Sequence, residues 1–247
     1  MAKMNDEIKS RARDLIFKSQ SRDVYTYTDF LSLAEQEEVL YEAGRFPVKF
    51  YGGGEETERK IACFGDENLL CYPSEFPVKI LFIKPLNEKF AKPFTHRDVL
   101  GATLALGVER SKVGDIFIAD KTAYMAVYST ISEHLKRELK KVASVTVETL
   151  EVEKLPDGVA AEKKEKTISV ASERADAVIS SVYNLSREGA SELFRQGRVF
   201  VNGKEFADGS KKLKYGDSVT ARGHGRFTLA EECGQSRKGK TYIKILY

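Results

Sequence analysis

The sequence predicts an α+β protein built from two or three small domains. Three observations carry this expectation. Helical periodicity fills the opening stretch to about Gly44, a β-α-β-β-α-β succession occupies the middle, and two short helices lead into strands and hairpin turns at the end. With 247 residues, 42% of them hydrophobic, the chain exceeds one average domain and can fill more than one core.

Along residues 1–75, Ile8, Ala12, Leu15 and Ile16 recur at helical spacing, and Phe30, Leu33, Ala34 and Leu40 repeat the pattern. Thr28-Asp29 is placed to cap the second helix, whose early turns carry Glu and Gln where the helix dipole favours negative charge. A mainly helical region is expected there. Tyr51-Gly52-Gly53-Gly54-Glu55-Glu56 is a glycine-rich turn, but it lacks a following Gly-Lys-Ser or Gly-Lys-Thr and continues into acidic residues. A plain loop fits better than a phosphate cradle.

In residues 76–155, Val78 to Ile83 is a β-branched and aromatic run between prolines 77 and 85, the pattern of a buried strand. A helix over Thr95 to Leu106 follows, then strands Asp115 to Ala119 and Ala123 to Tyr128. A second helix spans Ile131 to Val142 with Lys136, Arg137, Lys140 and Lys141 on its polar face, and a last strand spans Val145 to Leu150. This order is the split βαβ arrangement of ferredoxin-like and RRM domains. In a working RRM, aromatics on the two central strands stack on bases. The second strand here lacks the basic and glycine start and the paired aromatics, so Phe82 and Tyr124 are expected in the core. His96-Arg97-Asp98 has the letters of a kinase catalytic loop, yet Thr103 stands where that loop needs Asn, and no nucleotide loop accompanies it. A helix start is the better reading. Pro156-Asp157-Gly158 and the charge run Glu162 to Lys166 mark residues 156–168 as a linker.

Residues 169–247 form a distinct electrostatic unit. From Arg174 onward there are 14 Lys or Arg against eight Asp or Glu, a net +6, and the preceding residues hold 26 against 29. Such polarity points to a nucleic-acid partner. A helix over Glu173 to Val182 presents Ala175, Val178 and Ile179 on one side, and a second over Ser186 to Gln196 begins at an N-cap serine and ends at Gly197. Arg198 to Val201 reads as a strand, Asn202-Gly203 as a hairpin turn, and Gly216-Asp217 as a turn into a strand over Ser218 to Ala221. On the second helix Arg187, Ser191 and Arg195 share one face, while Leu193 and Phe194 turn to the core. Arg198, Asn202 and Lys204 extend that polar edge with donors for phosphates and 2′-hydroxyls, and the N–H groups at Ser186 favour phosphate. Lys211, Lys212 and Lys214 are either a second phosphate edge or a solubilising loop. Arg222-Gly223-His224-Gly225-Arg226-Phe227 suits either backbone approach to RNA or a tight bend between strands.

The spacing Arg174-x-Asp176, Leu185-Ser186-Arg187-x-x-Ala190, Gly197-x-Val199-x-Val201-Asn202-Gly203 and Gly216-Asp217-x-Val219 resembles the S-four RNA-binding domain, with Ala175 replacing its usual leucine. The resemblance implies RNA contact along Arg174, Ser186, Arg187, Ala190, Ser191, Arg195, Arg198, Asn202, Lys204 and Lys211. Phe94-Thr95-His96-Arg97-Asp98-x-Leu100-Gly101-Ala102, Leu106-Gly107-Val108-x-Arg110 and Val113-Gly114-Asp115-Ile116 ahead of such a domain resemble the bacterial YlmH family over nearly the whole chain. That resemblance implies an RNA-binding protein with an RRM-like middle domain, on the large ribosomal subunit carrying a peptidyl-tRNA, in rescue of stalled translation. It also implies genes near those of cell division.

Other classes find less support. Cys63, Cys71 and Cys233 are an odd number without metal-ligand spacing, and His96, His134 and His224 are scattered, so neither disulfides nor a metal site are expected. No apolar run approaches the roughly 20 residues of a membrane span, and the N-terminus lacks a signal-peptide core. A cytoplasmic location follows as an expectation. Enzymes that carry S-four-like domains, such as pseudouridine synthases, need catalytic or cofactor motifs that are not readable here. No catalytic residue, cofactor or DNA partner is expected, and the chain is expected to be a monomer that binds rRNA or tRNA. The competing readings are an RNA-modifying enzyme and a protein-docking platform linked to cell division.

Overall fold

In the computed structural model, which describes residues 2–89, 91–156, 158–159, 165–236 and 239–247, the chain forms two compact units, Met1–Ala161 and Glu162–Tyr247. The opening periodicity yields one long helix, α1 (Ala2–Arg22), whose Ala12 is buried and whose Ile8, Leu15 and Ile16 pack around it. The mainly helical expectation for residues 1–75 holds only in part beyond Arg22, where a second helix covers Leu33, Ala34 and Leu40 as expected but three strands accompany it. There the chain forms β1 (Thr26–Leu31), α2 (Leu33–Ala43), β2 (Val48–Tyr51), β3 (Lys60–Phe64) and the single turn α3 (Glu67–Leu70), with the strands in a sheet ordered β1-β3-β2. The physical reason is residue type. Thr26 to Leu31 alternates β-branched or aromatic residues, and Thr26, Thr28 and Phe30 are buried on one side. The cap of α2 is therefore Ser32 and not Thr28-Asp29. The Ser32 backbone N–H donates to Glu35 Oε2 at 2.6 Å, the reciprocal half of a capping box.

The middle segment contains β4 (Val78–Pro85), α4 (His96–Leu104), β5 (Val113–Ala119), β6 (Thr122–Tyr128), α5 (Ser129–Glu138), β7 (Lys141–Val142) and β8 (Val145–Val152). The antiparallel sheet runs β5-β6-β4-β8-β7. Helix α5 stops short of Val142 because Leu139 leaves the helical region and Lys141-Val142 pairs back onto β8. Thr95 caps α4. Its N–H and hydroxyl both donate to Asp98 Oδ2, and the Asp98 N–H returns to Thr95 Oγ1 at 3.2 Å, so the helix-start reading of this motif describes its geometry.

One face of this sheet (Leu81, Ile83, Ala123, Met125, Val127) buries against Val99 and Leu135 of the helices and Leu139 just after α5. On the opposite face Ile80 and Ala126 pack against Phe30 and Ile61 of the N-terminal sheet. Gly53 and Gly114 permit that approach. A Cβ would lie 2.6 Å from Ile80 Cδ1 at Gly53, where φ is +101°, and 2.6 Å from Phe30 Cε1 at Gly114. The glycine turn thus serves packing. Polar ties reinforce the contact, since Arg59 donates to the Phe30 and Val113 carbonyls at 2.7 and 3.1 Å, and Lys112 pairs with Asp29 at 2.6 Å. Burial lowers the Arg59 pKa and raises that of Asp115, whose carboxylate accepts the Arg59 N–H at 3.1 Å.

The second unit contains β9 (Glu165–Val170), α6 (Ala175–Tyr183), α7 (Arg187–Arg195), β10 (Val199–Val201), β11 (Lys204–Glu205), β12 (Ser218–Ala221), β13 (Gly225–Gln235) and β14 (Thr241–Leu246), with the sheet ordered β11-β10-β12-β13-β14-β9. The linker expected over 156–168 ends earlier than its charge run suggested. Residues 165–168 already belong to β9, and Ile168 pairs with Ile243 and is buried. Asp157 and residues 160–164 lie outside the described residues. Both helices cover one sheet face, with Val178, Ile179, Leu193 and Phe194 against Val199, Val201, Val219, Leu229 and Ile243.

Candidate nucleic-acid interface

Helix α7 is amphipathic by construction. Ala190, Leu193 and Phe194 are buried, which leaves Arg187 and Arg195 exposed on the other side, with Ser191 half-buried between them. Ser186 caps the helix by accepting the Gly189 N–H at 3.0 Å. The eight-residue step from Arg187 to Arg195 corresponds to about 12 Å along the axis. At the first end, Arg187 and Ser191 share a cavity of about 310 Å³ with Ser172, Arg174 and Asp176. Arg174 is held there by a two-pronged contact to Asp176, at 3.1 and 2.5 Å, which raises its pKa and keeps its guanidinium oriented. The loop bearing Lys211 lies alongside. The Lys211 carbonyl accepts the Ala175 N–H at 2.9 Å, the adjacent Lys212 bridges Arg174 and pairs with Glu173 at 3.3 Å, and the Lys211 side chain is exposed. The fold therefore brings Arg174 to Arg187 and Ser191, one turn apart on α7, and sets the backbone of Lys211 beside Ala175.

At the other end of α7, Arg195 forms an exposed ion pair with Glu192 at 2.7 Å. Arg198 donates to Gln196 Oε1 at 3.3 Å and to the Arg222 carbonyl at 2.5 Å. Lys204 is exposed on the short strand β11, across the hairpin from Val201.

Two of the residues expected to meet RNA are occupied by the fold. Ala190 is fully buried, because its small side chain sits on the core-facing stripe of α7. The Asn202 amide donates to Asp217 Oδ1 at 3.0 Å and its oxygen accepts the Ser218 N–H at 2.9 Å, so it ties one turn to another with one of its two N–H donors. Sequence spacing placed both near the polar edge but carried no information about their long-range partners. Arg222 is the residue that the same reading left undecided. It lies exposed at the Arg198 end of the surface, with its guanidinium carbon 4.3 Å from the Phe200 ring centroid. The signal available was an Arg-Gly pair at the end of an aromatic-bearing sheet.

Of Phe82 and Tyr124, both expected in the core of the first unit, Tyr124 packs against the buried cluster of Phe30, Ile61, Ile80 and Ala126. The Phe82 and Tyr124 rings are half-buried on the sheet face away from the helices, stacked with centroids 4.7 Å apart and planes 25° apart. Among the described residues, no three His, Cys, Asp or Glu side chains gather as a metal ion would need, and no helix is long and apolar enough to cross a membrane.

Exposed guanidinium groups and hydroxyls carried on a rigid helix and sheet edge define a surface for binding a polyanion. Comparison with known proteins gives this class a family. Residues 72–155 match the family model described as "Putative RNA-binding domain in YlmH". The chain is 31% identical over 221 residues to ribosome-associated protein quality control protein P2 of Bacillus subtilis (strain 168), covering 86% of this chain and 83% of that protein. The solved structure of cell division protein ylmH from Streptococcus pneumoniae matches with a TM-score of 0.50 at 18% identity, over 60% of this chain and 91% of that one, which is a likeness of fold. The chain belongs to the YlmH family.

Proposed function

We propose that this protein is an RNA-binding factor that holds rRNA or tRNA on the large ribosomal subunit during quality control of stalled translation. The observation that carries the reading is the convergence of Arg174, Arg187 and Ser191 on one cavity, continued along α7 to Arg195 and Arg198. Exposed cations at this spacing suit successive phosphates, and the hydroxyl suits a phosphate or 2′-hydroxyl oxygen. Ribosome association is taken from the name of the Bacillus subtilis relative, and RNA binding also from the description of the matched family model. The S-four-like reading of residues 169–247 rests on the motif spacing together with the two-helix corner. The RRM-like reading of residues 76–155 is supported by β4 and β6 lying side by side inside the sheet. On this reading the protein acts by binding and not by catalysis, as a cytoplasmic monomer.

The test is sedimentation of the full chain with ribosomal subunits, free tRNA and stalled subunit–tRNA complexes, comparing wild type with Arg187→Ala plus Arg195→Ala. The expected result is co-sedimentation with the large subunit that weakens steeply with salt and is lost in the double variant. Undiminished, salt-insensitive binding by the variant would overturn the reading and favour a protein-docking platform.

A further inference from the structure

Three features meet at the end of α7 that a plain phosphate contact does not require. First, Val199 and Val201 are buried in the core, so Phe200 between them faces the other side of the sheet, away from the helices, and is half-buried there. Second, Arg222 leaves the end of β12 and lies over that ring at 4.3 Å, although it is exposed. Third, its backbone is pinned from both sides. The Arg222 N–H donates to the Arg198 carbonyl at 2.9 Å, and Arg198 Nη2 donates to the Arg222 carbonyl at 2.5 Å. Gly223 makes this clamp possible, because at its φ of +89° a Cβ would lie 2.4 Å from Arg198 Nη2. The glycine left open between backbone approach and tight bend is thus explained by a close contact with Arg198.

Like Arg187 and Arg198, and unlike Arg174 and Arg195, Arg222 has no carboxylate partner among the described residues. A guanidinium whose plane lies on an aromatic ring has one face covered and the other free, with its donors arranged around the edge. That free face is a flat platform, and unstacked RNA bases dock on such guanidinium planes as they do on aromatic rings. A phosphate contact needs only the charge. The net +6 from Arg174 to the end favours a polyanionic partner.

We infer that Arg222, seated on Phe200 and positioned by Arg198, is a stacking platform for an unpaired base of the RNA that α7 grips. The inference rests on the proposed RNA-binding function. It assigns Arg222 the recognition of looped or bulged RNA, and Arg198 the role of a positioning residue.

The experiment measures affinity of the full chain for two RNAs by fluorescence anisotropy, a blunt duplex and the same duplex carrying a bulged purine. Wild type is expected to favour the bulged RNA by about tenfold, the scale of one base stack. Arg222→Lys keeps the charge and loses the plane, and Phe200→Leu keeps the apolar bulk and loses the ring. Both are expected to abolish the preference while circular dichroism and melting temperature stay at wild-type values. If Arg222→Lys retains the preference, or wild type shows none while still binding the duplex in an Arg187-dependent way, the inference is overturned and the RNA-binding reading survives. Failure to bind either RNA overturns both.

Discussion

Asn202→Ala separates a structural role from an RNA-contacting one. Asn202 adopts a left-handed conformation, φ +49°, followed by Gly203 at φ +79°, the pair of positive dihedrals that a two-residue hairpin between β10 and β11 demands. Its side chain bonds Asp217 at 3.0 Å and the Ser218 N–H at 2.9 Å, and Asp217 in turn accepts the Lys214 N–H at 2.7 Å. Alanine removes two half-buried hydrogen bonds at about 1 kcal/mol each. It also removes the short polar side chain that lets Asn tolerate the left-handed region better than Ala, for roughly 1 kcal/mol more. The expected loss of about 3 kcal/mol corresponds, for a unit of this size, to a fall of about 15 °C in its melting temperature. Asn202→Gly, which keeps the dihedral and loses the hydrogen bonds, should fall by about two thirds as much. The assay is scanning calorimetry of the full chain, paired with RNA affinity measured well below the transition, where both variants should stay within about twofold of wild type. A variant that melts with wild type but loses RNA binding would refute the structural role and restore Asn202 to the interface.

Further expectations concern charge, packing and pH. Arg187→Ala should lower the slope of log affinity against log salt by about 0.7 to 0.9, measured by titration at several salt concentrations. Glu192→Gln releases Arg195 from its 2.7 Å ion pair and removes a like charge from the RNA's side, so affinity should rise by about two- to fivefold at low salt in the same titration. Gly114→Ala places a Cβ 2.6 Å from the Phe30 ring and 3.0 Å from Ala126, and calorimetry should show Met1–Ala161 destabilised by about 1 to 3 kcal/mol. Glu173 accepts the Tyr215 hydroxyl at 2.8 Å and pairs with Lys212, contacts that hold its pKa below the usual value. Burial and the bond to Glu173 push Tyr215 up to about 12. The Glu173 contribution is therefore present above its unfolded pKa and lost as pH falls through the lowered folded value. The Tyr215 contribution is full below its ordinary value of 10.0 and lost as pH rises toward about 12. Denaturant melts across pH should show both limbs, and Glu173→Gln should flatten the acid one.

Local chemistry made the second unit largely legible. The N-cap at Ser186, the positive-φ pair Asn202-Gly203 and the alternation of Val199 and Val201 each act within a few residues. Strand β1 is hidden from periodicity because Phe30 falls in helical phase with Leu33, Ala34 and Leu40, which do lie on α2, although the β-branched Thr26 and Thr28 mark the residues before it as strand. Strand β9 was hidden because half its residues are charged or polar on the solvent side, and only its pairing with β14 shows Ile168 and Val170 to be core. The roles of Asn202 and Arg222 depend on partners 15 to 24 residues away, beyond the reach of periodicity or spacing.

The two sheets differ in how much surface they leave for RNA. Base-stacking RRM sheets use aromatics on two central strands. Here β4 and β6 supply such a pair, since Phe82 and Tyr124 stand opposite each other in register and stack at 4.7 Å. The same face is partly filled, however. Ile80 and Ala126 are closed by Phe30 and Ile61, and Lys84 beside Phe82 is paired with Glu148 at 3.2 Å. Stacking one base on an aromatic side chain is worth about 1 to 3 kcal/mol. Affinity that falls steeply with salt must then come from cations, and the second unit holds the net +6 from Arg174 onward while the preceding residues are net negative. Under the proposed function, the second unit therefore sets how tightly RNA is held.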